Sequence, residues 1–111
     1  MKTSISYDDF AKLDFRAGKV VKAEAPEWSN KLLRLEVDFG QEIGSRVIFS
    51  GISKWYQPEE LTGKLYVFLI NMEYKKMGEE ESQGMMIMAD GAEKPILLNF
   101  IQPVKPGEVV R

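Results

Sequence analysis

The stretch Leu33-Arg34-Leu35-Glu36-Val37-Asp38-Phe39 alternates apolar and charged side chains without a break. A period of two is typical of a β-strand that turns one face to a core and the other to water. We therefore predict a strand over residues 33–39. Its four apolar side chains point inwards and its three charged side chains point outwards.

Further apolar runs lie on both sides of this strand and are separated by turn residues. They predict strands over residues 15–23, 46–50, 65–70, 85–89 and 96–98. Gly18 lies inside the first run, which indicates a bulge or bend. The run over 65–70 is apolar at both parities, which predicts burial on both faces. Residues 73–83 are polar and are predicted to form a long loop, and residues 40–45 a turn.

Two short helices complete the pattern. Ser6 is a suitable N-cap for a helix that begins with Tyr7-Asp8-Asp9. Pro58-Glu59-Glu60 suits the first turn of a second helix, between the third and fourth strands. Short strands with one helix at that place are the arrangement of an OB-fold. We predict an all-β chain: a five-stranded OB-fold barrel with short helices and extra C-terminal strands, forming a single domain over residues 1–111.

The residue types present leave little for catalysis. The 111 residues include no histidine and no cysteine, which removes the commonest general base, the commonest metal ligand and any disulfide. No Gly-rich phosphate loop, nucleophile elbow or metal-ligand spacing occurs. We expect no catalytic residues, no metal and no cofactor.

Charge and hydropathy limit the partners. No run of residues is apolar enough for a signal peptide or a membrane span, so we expect a soluble cytoplasmic protein without a membrane partner. The net charge of −2 is unfavourable for binding phosphate, although a local basic patch can still form a site. The fold would have to assemble that patch, because Lys and Arg are spread along the chain.

Four blocks of sequence occur in a specific order. They are Asp14-Phe15-Arg16-Ala17-Gly18-Lys19-Val20, Lys31-Leu32-Leu33-Arg34-Leu35, Ile48-Phe49-Ser50-Gly51-Ile52 with Tyr56-Gln57-Pro58-Glu59-Glu60-Leu61, and Asn71-Met72 with Glu81-Ser82-Gln83-Gly84-Met85. Together they resemble the tRNA-binding domain family, which includes stand-alone structure-specific tRNA-binding proteins and the C-terminal appendage of methionyl-tRNA synthetases. The resemblance covers residues 7–111, and the ending Lys94-Pro95-Ile96-Leu97-Leu98 is most similar to the synthetase appendage.

The resemblance implies an OB-fold that binds tRNA near its elbow, largely by shape. Cations would contact phosphates, and small polar groups would contact phosphate or 2′-hydroxyl oxygens. The residues expected to contact tRNA are Lys31, Arg34, Lys54, Asn71, Lys75, Lys76, Ser82, Gln83 and Met85.

Each of these positions also has a structural interpretation that the sequence leaves open. Arg34 could pair with Glu36 or with a neighbouring strand, and the three lysine sites at 31, 54 and 75–76 could be solvated surface. Loop-closing hydrogen bonds are the alternative for Asn71, Ser82 and Gln83, and packing at the barrel end is the alternative for Met85. Trp28 and Trp55 are the two aromatics that could stack on a base. For Trp55 the favoured alternative is that it packs the short helix onto the barrel.

Two regions depart from the family's usual pattern. Residues 25–30 replace a characteristic turn, and Glu73 and Gly78 stand where Lys and Arg are common. Glu79 and Glu80 add further negative charge. Because like charges oppose phosphate, we predict weak or synthetase-assisted tRNA binding that tightens at low salt.

The family's short members also dimerise through segments outside the barrel core. Here those segments would be the N-terminal residues, Met86–Met88 and Ile96–Val110, although they could simply complete the barrel. The expected partners are therefore tRNA, a second copy of the chain and a methionyl-tRNA synthetase catalytic region. The alternative function is a dimeric chaperone or protein-interaction module on the same OB-fold, which six methionines would suit.

Overall fold

A computed structural model describes residues 1–111. The strands are β1 (Phe15–Glu24), β2 (Leu33–Asp38), β3 (Ser45–Ser50), β4 (Leu65–Leu69), β5 (Lys75–Met77), β6 (Glu80–Ser82), β7 (Met85–Met86), β8 (Met88–Asp90), β9 (Pro95–Leu97) and β10 (Val109–Val110). The helices are α1 (Tyr7–Ala11), α2 (Gly40–Ile43) and α3 (Pro58–Leu61).

The main sheet has six antiparallel strands: five follow the order β3-β2-β1-β4-β7, and β10 pairs with β1. The sheet curves until the residues that precede β7 reach the free edge of β3, where the Gln83 amide donates to the Val47 carbonyl at 2.8 Å. The result is a nearly closed barrel, with α3 between the third and fourth strands. The predicted OB-fold is confirmed.

The core is built by the alternation in β2. Leu33, Leu35 and Val37 have no exposed surface, and Phe39 directly after the strand is 1% exposed. The Phe39 ring meets the Phe68 ring edge to face, with the centroids 5.4 Å apart, a favourable aromatic geometry. The inward and outward faces predicted for residues 33–39 are therefore confirmed.

Gly18 is not the site of the bulge predicted there. The register of β1 against β2 shifts between Val20 and Lys22, after Gly18. A Cβ at Gly18 would lie 2.6 Å from side-chain atoms of Phe39 and Val37. Glycine is needed at this position because the core rings pack directly against the backbone.

Residues 73–83 were predicted to form a long loop. They contain the β5–β6 hairpin instead. Met77 pairs with Glu80 across the two-residue turn Gly78-Glu79, and Gly78 has a φ of 63°, a left-handed conformation that glycine adopts at low cost. The two strands have three residues each, and Met77 is their only apolar side chain, so they carry no apolar alternation. The strands are stabilised by contacts with the barrel and not by an apolar face of their own.

Three further expectations were wrong in detail. Leu65 and Val67 on the outer side of β4 are only half-buried. The strand predicted over residues 85–89 divides at Ile87 into β7, which pairs with β4, and β8, which pairs with β9. The turn at residues 40–45 contains the four-residue helix α2.

Candidate nucleic-acid interface

Two loops converge at one end of the barrel: residues 25–32 between β1 and β2, and residues 70–84 between β4 and β7. These are the loops with which OB-folds commonly bind oligonucleotides, together with the outer face of the second and third strands. Seven of the nine residues expected to contact tRNA, together with Trp28, lie in or beside these loops.

Trp28 joins the two loops. Its ring lies over the hairpin turn, where a Cβ added to Gly78 would meet the indole at 3.0 Å. The ring also packs against Phe49 on β3, with centroids 5.8 Å apart, and remains 55% exposed. Trp28 therefore supports the hairpin and still presents aromatic surface to solvent, and its stacking on a base stays a prediction.

Arg34 is held by three glutamates. Its Nε and Nη2 donate to the two carboxylate oxygens of Glu80, both at 2.8 Å. Its Nη1 donates to Glu36 at 2.7 Å and to Glu24 at 3.3 Å. The hydrogen bonds to Glu80 and, second, to Glu36 raise the pKa of Arg34. The hydrogen bond from Arg34 lowers the pKa of Glu80. The pairing alternative for Arg34 is thus observed, and phosphate would have to displace carboxylates there.

Three of the polar residues that were expected to contact tRNA make loop-closing hydrogen bonds within the chain. The Asn71 side chain accepts from the Asp14 amide at 2.9 Å and donates to the Lys12 carbonyl at 2.6 Å. The buried Ser82 hydroxyl accepts from the Phe49 amide at 3.0 Å. Gln83 Oε1 accepts from the Val47 amide at 2.8 Å. These side chains hold the 70–84 loop against the barrel, and a direct contact with RNA stays a prediction.

Lys75, Ser82 and Met85 come together in a cleft of about 180 Å³ beneath the hairpin. Met85 is 47% exposed, so it does not simply fill the barrel end. Lys76 is exposed on the opposite side of the hairpin, in register with Glu81.

Lys31 and Lys54 come together in a second cleft, of about 510 Å³, whose remaining lining is Asn30, Leu32, Gly51 and Trp55. Trp55 is 38% exposed, and Lys54 Nζ lies 5.6 Å from the centroid of its ring. The ring is therefore accessible to solvent, and the expected packing of Trp55 on the short helix stays a prediction.

Arg46 was not expected at the site. It donates from Nη1 to the Ile70 carbonyl at 2.7 Å and the Gln83 carbonyl at 3.2 Å, and it lies 5.9 Å from the Tyr74 ring. It therefore joins both ends of the 70–84 loop. The only sequence signal was a cation at the start of a predicted strand.

No group of three or more His, Cys, Asp or Glu side chains comes close enough together to hold a metal ion. No helix has the length and apolar character needed to cross a membrane.

Residues 15–109 match the model of the tRNA-binding domain family. The chain belongs to this family. The chain is 46% identical over 106 residues to the methionine–tRNA ligase of Archaeoglobus fulgidus. The aligned region covers 96% of this chain and 16% of the ligase. The match to the Dichelobacter nodosus ligase is also 46%, over 87% of this chain and 14% of the ligase. The chain thus spans about a sixth of the length of these relatives.

Two solved structures superimpose closely on nearly the whole chain. A methionyl-tRNA-synthetase-related protein from Pyrococcus horikoshii has a TM-score of 0.91 at 37% identity, covering 99% of this chain and 100% of that one. The chaperone CsaA from Bacillus anthracis has a TM-score of 0.87 at 30% identity, covering 98% and 100%.

Proposed function

We propose that this tRNA-binding domain is a non-catalytic, structure-specific tRNA-binding module that acts as a homodimer, either alone or as the C-terminal appendage of a methionyl-tRNA synthetase. Its place would be the cytoplasm, where tRNA is used. The observation that carries the proposal is the family match over residues 15–109. The two converging OB-fold loops support it, because they carry Lys31, Lys75 and Lys76, and Lys54 lies in one cleft with Lys31.

Four lysines would contact phosphates: Lys31 and Lys54 at one cleft, Lys75 at the other, and Lys76 on the opposite side of the hairpin. Lys31, Lys54, Lys75 and Lys76 take part in no ion pair, whereas Arg34 is bound to glutamates. The 70–84 loop nevertheless carries four glutamates against two lysines. This excess of negative charge favours weak binding that depends strongly on salt.

A filter-binding titration of total tRNA against salt tests this electrostatic part of the proposal. We expect the affinity to fall steeply as salt rises from about 50 to 200 mM. Tight binding that is flat in salt would contradict it.

A homodimer would present two such sites to one tRNA and increase avidity. Exposed apolar side chains at the C-terminal part of the chain support an interface there, namely Ile96, Leu98, Ile101 and Val109. Met86 does not belong to this surface, because it is 4% exposed within the core. Light scattering at tens of micromolar tests the dimer: twice 12.7 kDa is expected, and a clean 12.7 kDa species would contradict it.

A second candidate function is that of a chaperone or protein-interaction module. The specific observation in its favour is the close superposition on CsaA. A pulldown with RNase treatment separates the two. Recovery of tRNA that RNase abolishes supports the tRNA-binding module, and RNase-resistant recovery of polypeptides supports the chaperone.

A further inference from the structure

The larger cleft is formed by two backbone segments that are hydrogen-bonded to each other. Ser53 donates from its amide to the Lys31 carbonyl at 3.1 Å and from its hydroxyl to the Asn30 carbonyl at 3.3 Å. The Ser29 hydroxyl accepts from the amides of Lys31 and Leu32, both at 3.2 Å. The two walls of the cleft are therefore held at a fixed separation without a ligand.

The charge in this cleft is uncompensated. Its lining includes Lys31 and Lys54 but no acidic side chain, and neither lysine is in an ion pair. Arg34, two residues beyond the cleft wall, shows the opposite situation, because carboxylates occupy its donors. The cleft thus offers cations that an incoming anion can bind without displacing a carboxylate.

Trp55 supplies a flat apolar surface beside these cations. Its exposed ring lines this cleft and also an adjacent one that shares Gly51. Lys54 is the only cation placed over the ring. The Lys54 side chain is flexible, so its ammonium can move from the ring to a phosphate. The face of the indole is then free to stack on a flat group such as a base.

We propose that this cleft binds one unpaired nucleotide of an RNA, with the base stacked on Trp55 and its phosphate between Lys54 and Lys31. The proposal rests on the tRNA-binding function proposed above and names its single-stranded subsite. A cleft of about 510 Å³ has the size of small-ligand sites. Paired bases in a duplex do not expose their faces for stacking, whereas loops and ends do. The occupant is therefore a single-stranded nucleotide and not a helix.

Gly51 provides a variant that closes the cleft without removing a cation or the indole. A Cβ there would meet no atom within 4 Å, and the residue has no positive φ. Gly51→Leu should therefore fill the space above the cleft with little strain. Lys54→Gln is the companion variant, since it removes one charge from an exposed side chain.

Tryptophan fluorescence tests the proposal, because Trp28 and Trp55 are the two tryptophans of the chain. Trp28→Phe leaves Trp55 as the reporter. Trp55→Phe leaves Trp28, the other aromatic side chain that could stack on a base, so that the two signals are measured separately. Each is titrated with total tRNA, a short single-stranded oligoribonucleotide and a duplex of the same length. Filter binding of wild-type protein to tRNA and thermal melts of every variant run in parallel.

We expect saturable quenching of Trp55 by tRNA and by the single-stranded oligonucleotide, but not by the duplex. Gly51→Leu should abolish this quenching and weaken oligonucleotide binding roughly 5- to 150-fold, the range for losing one stacked base. Lys54→Gln should weaken it less.

If tRNA is retained on the filter while Trp55 emission does not change, or Gly51→Leu binds as tightly as wild type, the nucleotide subsite is wrong and the tRNA-binding function stands. If tRNA is not retained but the oligonucleotide quenches Trp55, the tRNA function is wrong and the subsite stands. If neither ligand binds, both are wrong.

Discussion

Arg34 on β2 and Glu80 on β6 form a two-pronged ion pair, with Arg34 Nε and Nη2 each 2.8 Å from a different carboxylate oxygen of Glu80. This pair fastens the β5–β6 hairpin to the outer face of the barrel. The geometry matches the planar fork by which arginine recognises carboxylates. Because Arg34 is paired with Glu80, the outer face does not present this cation to RNA.

Glu80→Gln should loosen the hairpin. The substitution removes the charge that pairs with Arg34, so we expect faster amide hydrogen exchange over residues 75–82 and little change in the melting temperature of the barrel. Glu81→Gln is the matched control, because it removes the same charge from a side chain that makes no ion pair. Equal exchange rates in the two variants would show that the ion pair does not hold the hairpin.

Acid should release the same contact. The hydrogen bond from Arg34 lowers the pKa of Glu80 below its ordinary value of 4.5. Stability from this carboxylate is therefore fully present above pH 4.5 and is lost as the pH falls through the lower folded-state value. An NMR titration of the Glu80 carboxyl should give a pKa below 4.5 that moves upwards in Arg34→Gln. The same pKa in both proteins would contradict the assigned cause.

Gly18→Ala should destabilise the barrel. The added Cβ would approach Phe39 and Val37 to 2.6 Å and Phe68 to 2.8 Å. Overpacking of this kind costs about 1–3 kcal/mol, which a urea unfolding curve can measure. Gly51→Ala is the control and should leave the unfolding midpoint nearly unchanged, because its Cβ has open space. Equal midpoints for Gly18→Ala and wild type would mean that the core relaxes around the extra atom.

Lys75→Gln and Lys76→Gln should each weaken tRNA binding. If each lysine contacts a phosphate, each variant should also reduce the salt slope of binding by roughly one unit. Lys64→Gln removes an equal charge between α3 and β4, outside the two loops, and serves as the control. A Lys64→Gln effect as large as the others would indicate that only the net charge matters.

The barrel could be predicted from sequence because its signal is local. Alternation over Leu33–Phe39 fixes which face of β2 is buried, and neighbouring turns fix the strand lengths. The β5–β6 hairpin could not be predicted, because its strands are short and, apart from Met77, polar. It is stabilised by Trp28 and Arg34, which lie more than forty residues away in sequence.

The site was predictable only as separate residues. Lys31 and Lys54 were each expected to contact RNA. The cleft between them depends on hydrogen bonds from Ser53, which no pattern in the sequence predicts. Arg34 shows the reverse case. Its outward position was predicted correctly, yet Glu80 reaches it only because the hairpin folds back over the sheet.

The most direct test of tRNA binding is a competition measurement on the wild-type chain at low salt. Labelled total tRNA is bound to the protein and displaced by unlabelled tRNA, single-stranded RNA or double-stranded RNA of matched length. A structure-specific module should release the label to unlabelled tRNA at concentrations well below those needed of either other RNA. Equal competition by all three, or no retention of tRNA, would contradict structure-specific tRNA binding.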